Sequence, residues 1–174
     1  METEEQGVDL LEDDSQKNMF MTFQTGKESF GISIDYVNEI IVIPPITPVP
    51  EVEPYIKGLI NVRGKIIPVI DVRTRFRMEP VEYTDRTCII LLNLKGMMVG
   101  LIVERIEETI VIDEDKVLAP PFMDKQDSEH NKFVYGIART EEYGVKLLLD
   151  PWKLISDETP DPAGKLQSVN EEEE

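Results

Sequence analysis

The sequence has few of the residues on which catalytic and metal sites are usually built. Its 174 residues include one cysteine and one histidine, and aromatic residues make up only 7%. The single Cys88 cannot form an internal disulfide and lies in an apolar run, which favours a buried thiol in a reducing compartment. The single His130 lies in a polar segment, where a solvated loop histidine is favoured over a catalytic pair with Cys88. Zinc, calcium and phosphate-binding motifs are missing, so we expect no enzyme activity, no cofactor and no metal.

Positive charge is also scarce. The chain has 18 lysine and arginine residues against 35 aspartate and glutamate residues, for a formal net charge of −17. An acidic protein with few aromatic side chains repels nucleic acid and lacks the surfaces on which bases stack. No run approaches the roughly 20 apolar residues needed to cross a bilayer, and the acidic N-terminus is unlike a signal peptide. We therefore expect a cytoplasmic protein that binds no nucleic acid and does not insert directly into a membrane.

Most of the excess negative charge lies at the two ends of the chain. Residues 1–18 and 156–174 each carry a charge of about −6, which is typical of solvated tails. Both contain too few apolar residues to offset the entropy cost of ordering, so we predict disordered acidic tails. Between them, residues 19–155 carry a charge of about −5 and are enough for one compact domain.

The body of the chain contains the same sequence unit twice. Residues 30–43 align without gaps on residues 99–112, and both begin with an apolar-Gly-apolar motif and end with Ile-Val-Ile. Further along, residues 55–58 match 133–136 and residues 66–71 match 145–150. A repeat of this kind indicates two copies of one structural unit that pack against each other.

Each copy consists of short β-branched runs separated by turn residues, followed by a short helical piece. The predicted strands are 19–24, 30–34, 38–43, 58–62 and 65–72 in the first copy, and 87–94, 97–103, 107–112, 132–139 and 144–149 in the second. The helical pieces are predicted at 73–76 and 151–155. Asp71 and Asp150 come just before them, and we expect both carboxylates to cap the helices.

Five short strands in succession favour a closed or nearly closed barrel, which leaves no exposed edge. We therefore predict an all-β fold with two five-stranded barrels, the first at about 19–80 and the second at about 86–155. A barrel of this size is marginal alone, so the two should share a hydrophobic interface. Their contact should also leave a groove in which a partner can bind.

Four carboxylates occupy equivalent places in the two copies, Asp35 and Glu39 in the first and Glu104 and Glu108 in the second. Paired carboxylates can serve as acid–base or metal groups. Each of these pairs lies in or beside a turn between strands, however, where carboxylates face water or accept backbone hydrogen bonds. This second interpretation is favoured.

The two copies differ most at one hairpin turn. In the first copy, Arg63 and Lys65 flank Gly64, which can adopt a positive φ angle. The matching segment of the second copy, residues 139–144, is longer and acidic. An arginine at a hairpin tip is most often only solvated, but on an acidic protein Arg63 is also a candidate contact for a partner's carboxylate.

The segment from Tyr55 to Arg73 closely resembles the signature segment of CheW-like proteins. The resemblance extends from about Met19 to about Ile155, so that only the two acidic tails fall outside it. It implies two five-stranded SH3-like barrels, packed around a hydrophobic interface and carrying short helices. The partner-binding residues that it implies are Val37, Glu39, Gly58, Arg63 and Gly64 in the first copy, with Val99 and Ile102 in the second.

The resemblance also implies a function. Proteins of this family link the cytoplasmic tips of methyl-accepting chemoreceptors to the histidine kinase CheA, whose regulatory domain looks like CheW itself. In the physical picture that follows, the receptor tip lays apolar side chains in the groove between the barrels while Arg63 pairs with an acidic group on that tip. The kinase would contact apolar surface at the barrel ends.

Three other functions are compatible with a fold of this kind. A CheV-type protein adds a receiver domain to the same module, and the segment after Ile155 is too short for one. A CheW-like scaffold of another kinase pathway, such as twitching motility, would use the same fold. Paired small barrels also occur as enzymes or oligonucleotide binders, which the acidic charge and the missing catalytic groups disfavour.

Overall fold

The computed structural model describes residues 17–120 and 132–156. The strands are β1 Met19–Thr25, β2 Glu28–Ser33, β3 Val37–Val42, β4 Ile56–Val62, β5 Lys65–Asp71, β6 Cys88–Leu94, β7 Met97–Val103, β8 Arg105–Val111, β9 Val117–Leu118, β10 Val134–Thr140 and β11 Gly144–Leu149. The α-helices are α1 Val72–Arg75 and α2 Pro151–Ile155, and short 3-10 helices lie at Ile34–Tyr36 and Glu114–Lys116. The predicted all-β fold with short helices is confirmed.

The strands form two sheets that exchange hairpins. A six-stranded sheet has the order β8-β1-β2-β11-β10-β9, and a five-stranded sheet has the order β3-β6-β7-β5-β4. The first hairpin of each copy thus joins strands of the other copy, through the parallel pairs β2–β11 and β5–β7. The sheets therefore do not follow the predicted division into a first barrel at 19–80 and a second at 86–155.

Three hydrophobic clusters form the core, one between the two sheets and one inside each sheet. Successive side chains of a strand point to opposite faces, and in β7 Val99 and Leu101 enter a large cluster between the sheets whereas Ile102 points the other way. The five-stranded sheet encloses Ile60, Ile67, Val69, Ile89, Leu91 and Ile102. The six-stranded sheet encloses Phe20, Ile110, Ile112, Ala138 and Leu148. Each sheet thus curls around its own interior and packs on the other with its outer apolar face.

The interface between the sheets is a closed core. A row of aromatic rings runs through it, with centroid distances of 5.7 Å from Phe23 to Phe30, 5.0 Å from Phe30 to Phe76 and 5.4 Å from Phe76 to Phe133. These four side chains are buried and come from β1, β2, the end of α1 and the residue before β10. The predicted hydrophobic interface is confirmed, and side chains fill its centre.

A buried arginine ties the two helices to this core. The guanidinium carbon of Arg75 lies 4.2 Å from the ring centroid of Tyr55 and 4.4 Å from that of Phe133, two residues at equivalent places in the repeat. Its Nε atom donates a 2.8 Å hydrogen bond to the carbonyl of Leu154 at the end of α2. Arg75 therefore satisfies a helix terminus that would otherwise be buried without partners.

The predicted elements are correct within about two residues, which is the usual uncertainty of strand and helix ends. The predicted caps are confirmed, because Asp71 accepts from the N–H groups of Arg73 and Thr74 and Asp150 accepts from that of Trp152. The two-residue strand β9 was not predicted. His130 and most of both acidic tails lie outside the described residues.

Candidate functional site

The structure brings three of the predicted contact residues together. Arg63 and Gly64 form a two-residue turn between β4 and β5 with φ angles of 50° and 84°, and the Asn61 side chain accepts a 2.9 Å hydrogen bond from the Gly64 N–H. From this turn Arg63 reaches across to β3, where its Nη2 atom forms an ion pair with Oε1 of Glu39. The pair joins residues 24 positions apart.

The Arg63–Glu39 pair is exposed to solvent. The Arg63 side chain is 70% exposed and that of Glu39 is 30% exposed. An ion pair in such a setting typically contributes only about 0–1 kcal/mol to stability, because water screens it. A guanidinium has five N–H donors, and among the described residues Arg63 donates only to Glu39. The pair thus holds a cation in place on an acidic surface, with donors left for a carboxylate.

Two further predicted contact residues, Gly58 and Val37, have structural roles. Gly58 is buried with a φ angle of 143°, and a Cβ atom there would lie 2.1 Å from the Thr47 carbonyl oxygen. That close approach allows Thr47 and Leu59 to exchange two backbone hydrogen bonds of 2.9 Å and 2.8 Å, which close the five-stranded sheet beside β4. Val37 begins β3 and packs partly buried against the shared core. Gly58 thus permits the closure of the sheet beside β4, and Val37 contributes to the shared core.

The structure does not place Val99 and Ile102 at this surface. Their side chains are 1% and 2% exposed, and each lies in a hydrophobic cluster. The cause is that one face of β7 packs in the cluster between the sheets and the other in the cluster inside the five-stranded sheet, so that both faces are buried. These two residues belong to the core and not to the candidate interface.

Exposed apolar side chains recur at equivalent places in the two copies. None of these residues was predicted from the sequence as a contact residue. Val42 at the end of β3 matches Val111 at the end of β8, and Ile66 on β5 matches Val145 on β11. All four are exposed. The signal that could have found them is the repeat itself, because an apolar residue at a solvent-facing position is unusual in both copies at once.

The second copy carries a pocket beside its exposed apolar residues. It has a volume of about 620 Å³, which falls in the range of small binding sites. Val111, Leu118 and Tyr143 line it together with Arg139. Its lining also includes Lys116 and three carboxylates, so the pocket combines apolar side chains with charges of both signs.

The carboxylates singled out in the sequence mostly serve ion pairs. Glu108, the equivalent of Glu39, lies 3.2 Å from Nζ of Lys146, which also lies 3.5 Å from Glu107 and donates to Ser29 at 2.9 Å. Lys146 is 3% exposed. In the second copy a buried lysine on β11 thus pairs with Glu108, whereas in the first copy the exposed Arg63 pairs with the equivalent Glu39.

Other groups offer little chemistry. The Cys88 thiol is half-buried, and burial raises its pKa, which disfavours a reactive thiolate. Within residues 17–120 and 132–156, no cluster of histidine, cysteine, aspartate or glutamate side chains is arranged to hold a metal ion. None of the helices in that part of the chain has the length and apolar character that a membrane crossing requires.

Comparisons with known proteins agree on one family. The family model of the CheW-like domain matches residues 19–159. The chemotaxis protein CheW of Klebsiella aerogenes is 31% identical over 140 residues, which cover 80% of this chain and 82% of that protein. CheW of Bacillus subtilis is 38% identical over 105 residues, 60% of this chain and 67% of its own length. The solved structure of the scaffolding protein TtCheW from Thermoanaerobacter tengcongensis is similar with a TM-score of 0.75 and 32% identity, over 83% of this chain and 96% of that one.

Proposed function

The chain belongs to the CheW-like family, and on that premise we propose that it is a non-enzymatic chemotaxis adaptor. It couples the cytoplasmic tips of methyl-accepting chemoreceptors to the regulatory domain of the histidine kinase CheA. As an adaptor it acts in the cytoplasm and reaches the membrane through its partners. Its relatives described above carry the names of chemotaxis and scaffolding proteins, which supports this function over a scaffold of another kinase pathway such as twitching motility.

The observation that carries the proposal is the exposed Arg63–Glu39 pair on its two-residue turn. The pair contributes little to stability, so its geometry is better explained by recognition. A fixed guanidinium on an acidic protein selects a partner with a carboxylate, because the pairing is charge-assisted and planar. Orientation and specificity then come from Arg63, and affinity comes from neighbouring apolar contacts.

The kinase contact is proposed at the exposed apolar residues. Val42 and Ile66 in the first copy match Val111 and Val145 in the second, so the chain presents similar surfaces on both of its sheets. A regulatory domain that resembles this chain can pack on either surface in the same way. Exposed apolar patches are costly in water and commonly mark protein interfaces.

A reconstitution experiment tests the proposal. The purified chain is mixed with CheA and a chemoreceptor cytoplasmic fragment, and complex formation is followed by size-exclusion chromatography together with kinase autophosphorylation. The adaptor function predicts a ternary complex that the kinase and the receptor fragment do not form alone, and a change in kinase activity that depends on the chain. Equal complex formation and activity with and without the chain would contradict it.

A further inference from the structure

The hairpin exchange creates two equivalent junctions, each formed where a hairpin turn meets the helix of one copy. In the first junction Nη1 of Arg73 on α1 lies 3.0 Å from Oε1 of Glu104, and the second oxygen of Glu104 accepts the N–H of Gly26 in the β1–β2 turn. Each oxygen of the Glu104 carboxylate thus has one partner, a guanidinium or a backbone N–H group.

The second junction lies at the equivalent place in the repeat but has a different set of side chains. The repeat places Asp35 at the position of Glu104, and Trp152 at the position of Arg73. The match is structural as well, because Asp71 accepts a 2.9 Å bond from the Arg73 N–H and Asp150 accepts a 3.0 Å bond from the Trp152 N–H. Here the hairpin turn contributes Lys95, whose Nζ atom lies 5.9 Å from the centroid of the Trp152 ring, on the turn beside α2.

At this second junction the structure has an open cleft of about 880 Å³, large enough for a side chain and its neighbours. Its lining includes three carboxylates and four aromatic rings. They are Asp35, Glu114, Asp150, Phe20, Tyr36, Tyr135 and Trp152. The lining brings negative charge and ring faces together in one concave site.

The carboxylates of this cleft form no ion pair with the residues that the structure describes. The Asp35 and Glu114 side chains accept no hydrogen bond there, and Lys17 at the rim forms no ion pair. Asp150 lies near enough to Tyr135 for its charge to raise the pKa of that phenol, after the larger effect of burial and that of Tyr36. The second junction thus has a carboxylate, Asp35, at the position of Glu104, but it has Trp152 at the position of Arg73.

We propose that this cleft binds the guanidinium of an arginine on a partner protein, in the place that Arg73 occupies in the other copy. A guanidinium is planar, pairs with carboxylates and stacks on aromatic faces, and the cleft offers both kinds of group. Lysine suits the site less well because its ammonium is compact and strongly hydrated. The inference rests on the proposed adaptor function only in taking the arginine to come from a protein.

The chain provides its own reporter for a test. Trp152 is the only tryptophan, so its indole N–H gives one assignable signal in an NMR spectrum of the ¹⁵N-labelled full chain. The probes are N-acetyl-arginine amide, its lysine counterpart, and the uncharged isostere N-acetyl-citrulline amide. We expect a saturable shift of the Trp152 indole signal with the arginine amide, a smaller shift with the lysine amide and none with the citrulline amide.

Matched variants distinguish the cleft from general attraction to an acidic protein. Asp35→Asn removes one carboxylate and should weaken binding of the arginine amide about fivefold, as expected for an exposed charged contact. Asp85→Asn removes an exposed carboxylate outside the cleft and should leave binding unchanged. Equal effects of the two variants, equal shifts with arginine and citrulline amides, or no shift of the Trp152 signal would each overturn the inference. None of these results would affect the reconstitution experiment, which does not depend on this cleft.

Discussion

Arg63 and Glu39, which are 24 residues apart in the chain, form an ion pair across the open side of the five-stranded sheet. The sequence identified both as contact residues through a family resemblance, without indicating that they touch. Their pairing changes the physical picture, since Arg63 is positioned before any partner arrives. A side chain that is already oriented loses less entropy on binding than a free one.

Replacement of Gly58 by alanine should be among the most damaging small changes in the fold. The new Cβ atom would lie 2.1 Å from the Thr47 carbonyl oxygen at a φ angle of 143°, so the Thr47–Leu59 bridge must break. We expect a loss of about 2–4 kcal/mol in the free energy of unfolding, measured by urea denaturation. Gly64→Ala is the control, because its φ is also positive but no atom lies within 4 Å, and it should cost about 1 kcal/mol. Equal losses would contradict the steric explanation.

Lys146 should contribute to stability far more than an exposed lysine. Its ammonium group is buried between Glu107, Glu108 and Ser29, so Lys146→Met leaves Glu108 without its cation and Glu107 with only Arg105, at 3.9 Å. We expect a loss of about 2 kcal/mol in the free energy of unfolding. Lys116→Met, at an exposed position, should change stability by less than about 0.5 kcal/mol. A Lys146→Met variant as stable as the unmodified protein would show that the buried charges are not coupled.

Tyr83 should make stability depend on pH in the alkaline range. Its hydroxyl donates a 2.8 Å hydrogen bond to Asp71, and burial together with this bond and the Asp71 charge raises its pKa. The folded protein therefore holds the phenol proton more tightly than the unfolded chain, whose pKa is about 10. This stabilisation is complete below that pH and is lost as pH rises above it.

The Tyr83→Phe variant isolates this effect. Near pH 8 it should be about 1 kcal/mol less stable than the unmodified protein, because the hydrogen bond is lost. Urea denaturation at about pH 8 and about pH 11 should show the difference shrinking at the higher pH. A difference that stays constant would mean that the Tyr83 proton does not contribute.

Val42 and Val111 should matter for binding and not for folding. Both are exposed and occupy equivalent places in the two copies. Val42→Asp and Val111→Asp should each leave unfolding unchanged and weaken binding of the CheA regulatory domain about tenfold in calorimetric titrations. Val81→Asp, at an exposed apolar position outside the repeat pattern, is the matched control. Similar weakening by all three variants would point to a general charge effect.

Local structure could be predicted from the sequence, but pairing could not. Turn residues and β-branched runs locate the strands, and Asp71 and Asp150 indicate where the helices that they cap begin. A repeat, however, shows which segments are equivalent and not whether a hairpin pairs with its own copy or with the other one. The exchange of the β1–β2 and β6–β7 hairpins depends on contacts between distant residues, which local patterns do not contain.

The same limit explains which residues of the candidate site the sequence could identify. Val99 and Ile102 lie on opposite faces of β7. From the alternation of side chains along a strand alone, one of these faces could contact solvent or a partner. Only the folded structure shows that one face packs in the cluster between the sheets and the other inside the five-stranded sheet. Arg63 was found because a charged residue at a hairpin tip is visible in the sequence, whereas its partner Glu39 lies on a strand that comes near only in the folded sheet.

The most direct test of the adaptor function is the reconstituted ternary complex with Arg63→Glu. Because the Arg63–Glu39 pair is exposed, this variant should stay within about 1 kcal/mol of the unmodified protein in unfolding experiments. It should nevertheless lose the receptor-dependent change in kinase activity, whereas Arg86→Glu, an equal charge reversal at another exposed position, should keep it. Full coupling by a folded Arg63→Glu variant would contradict the account.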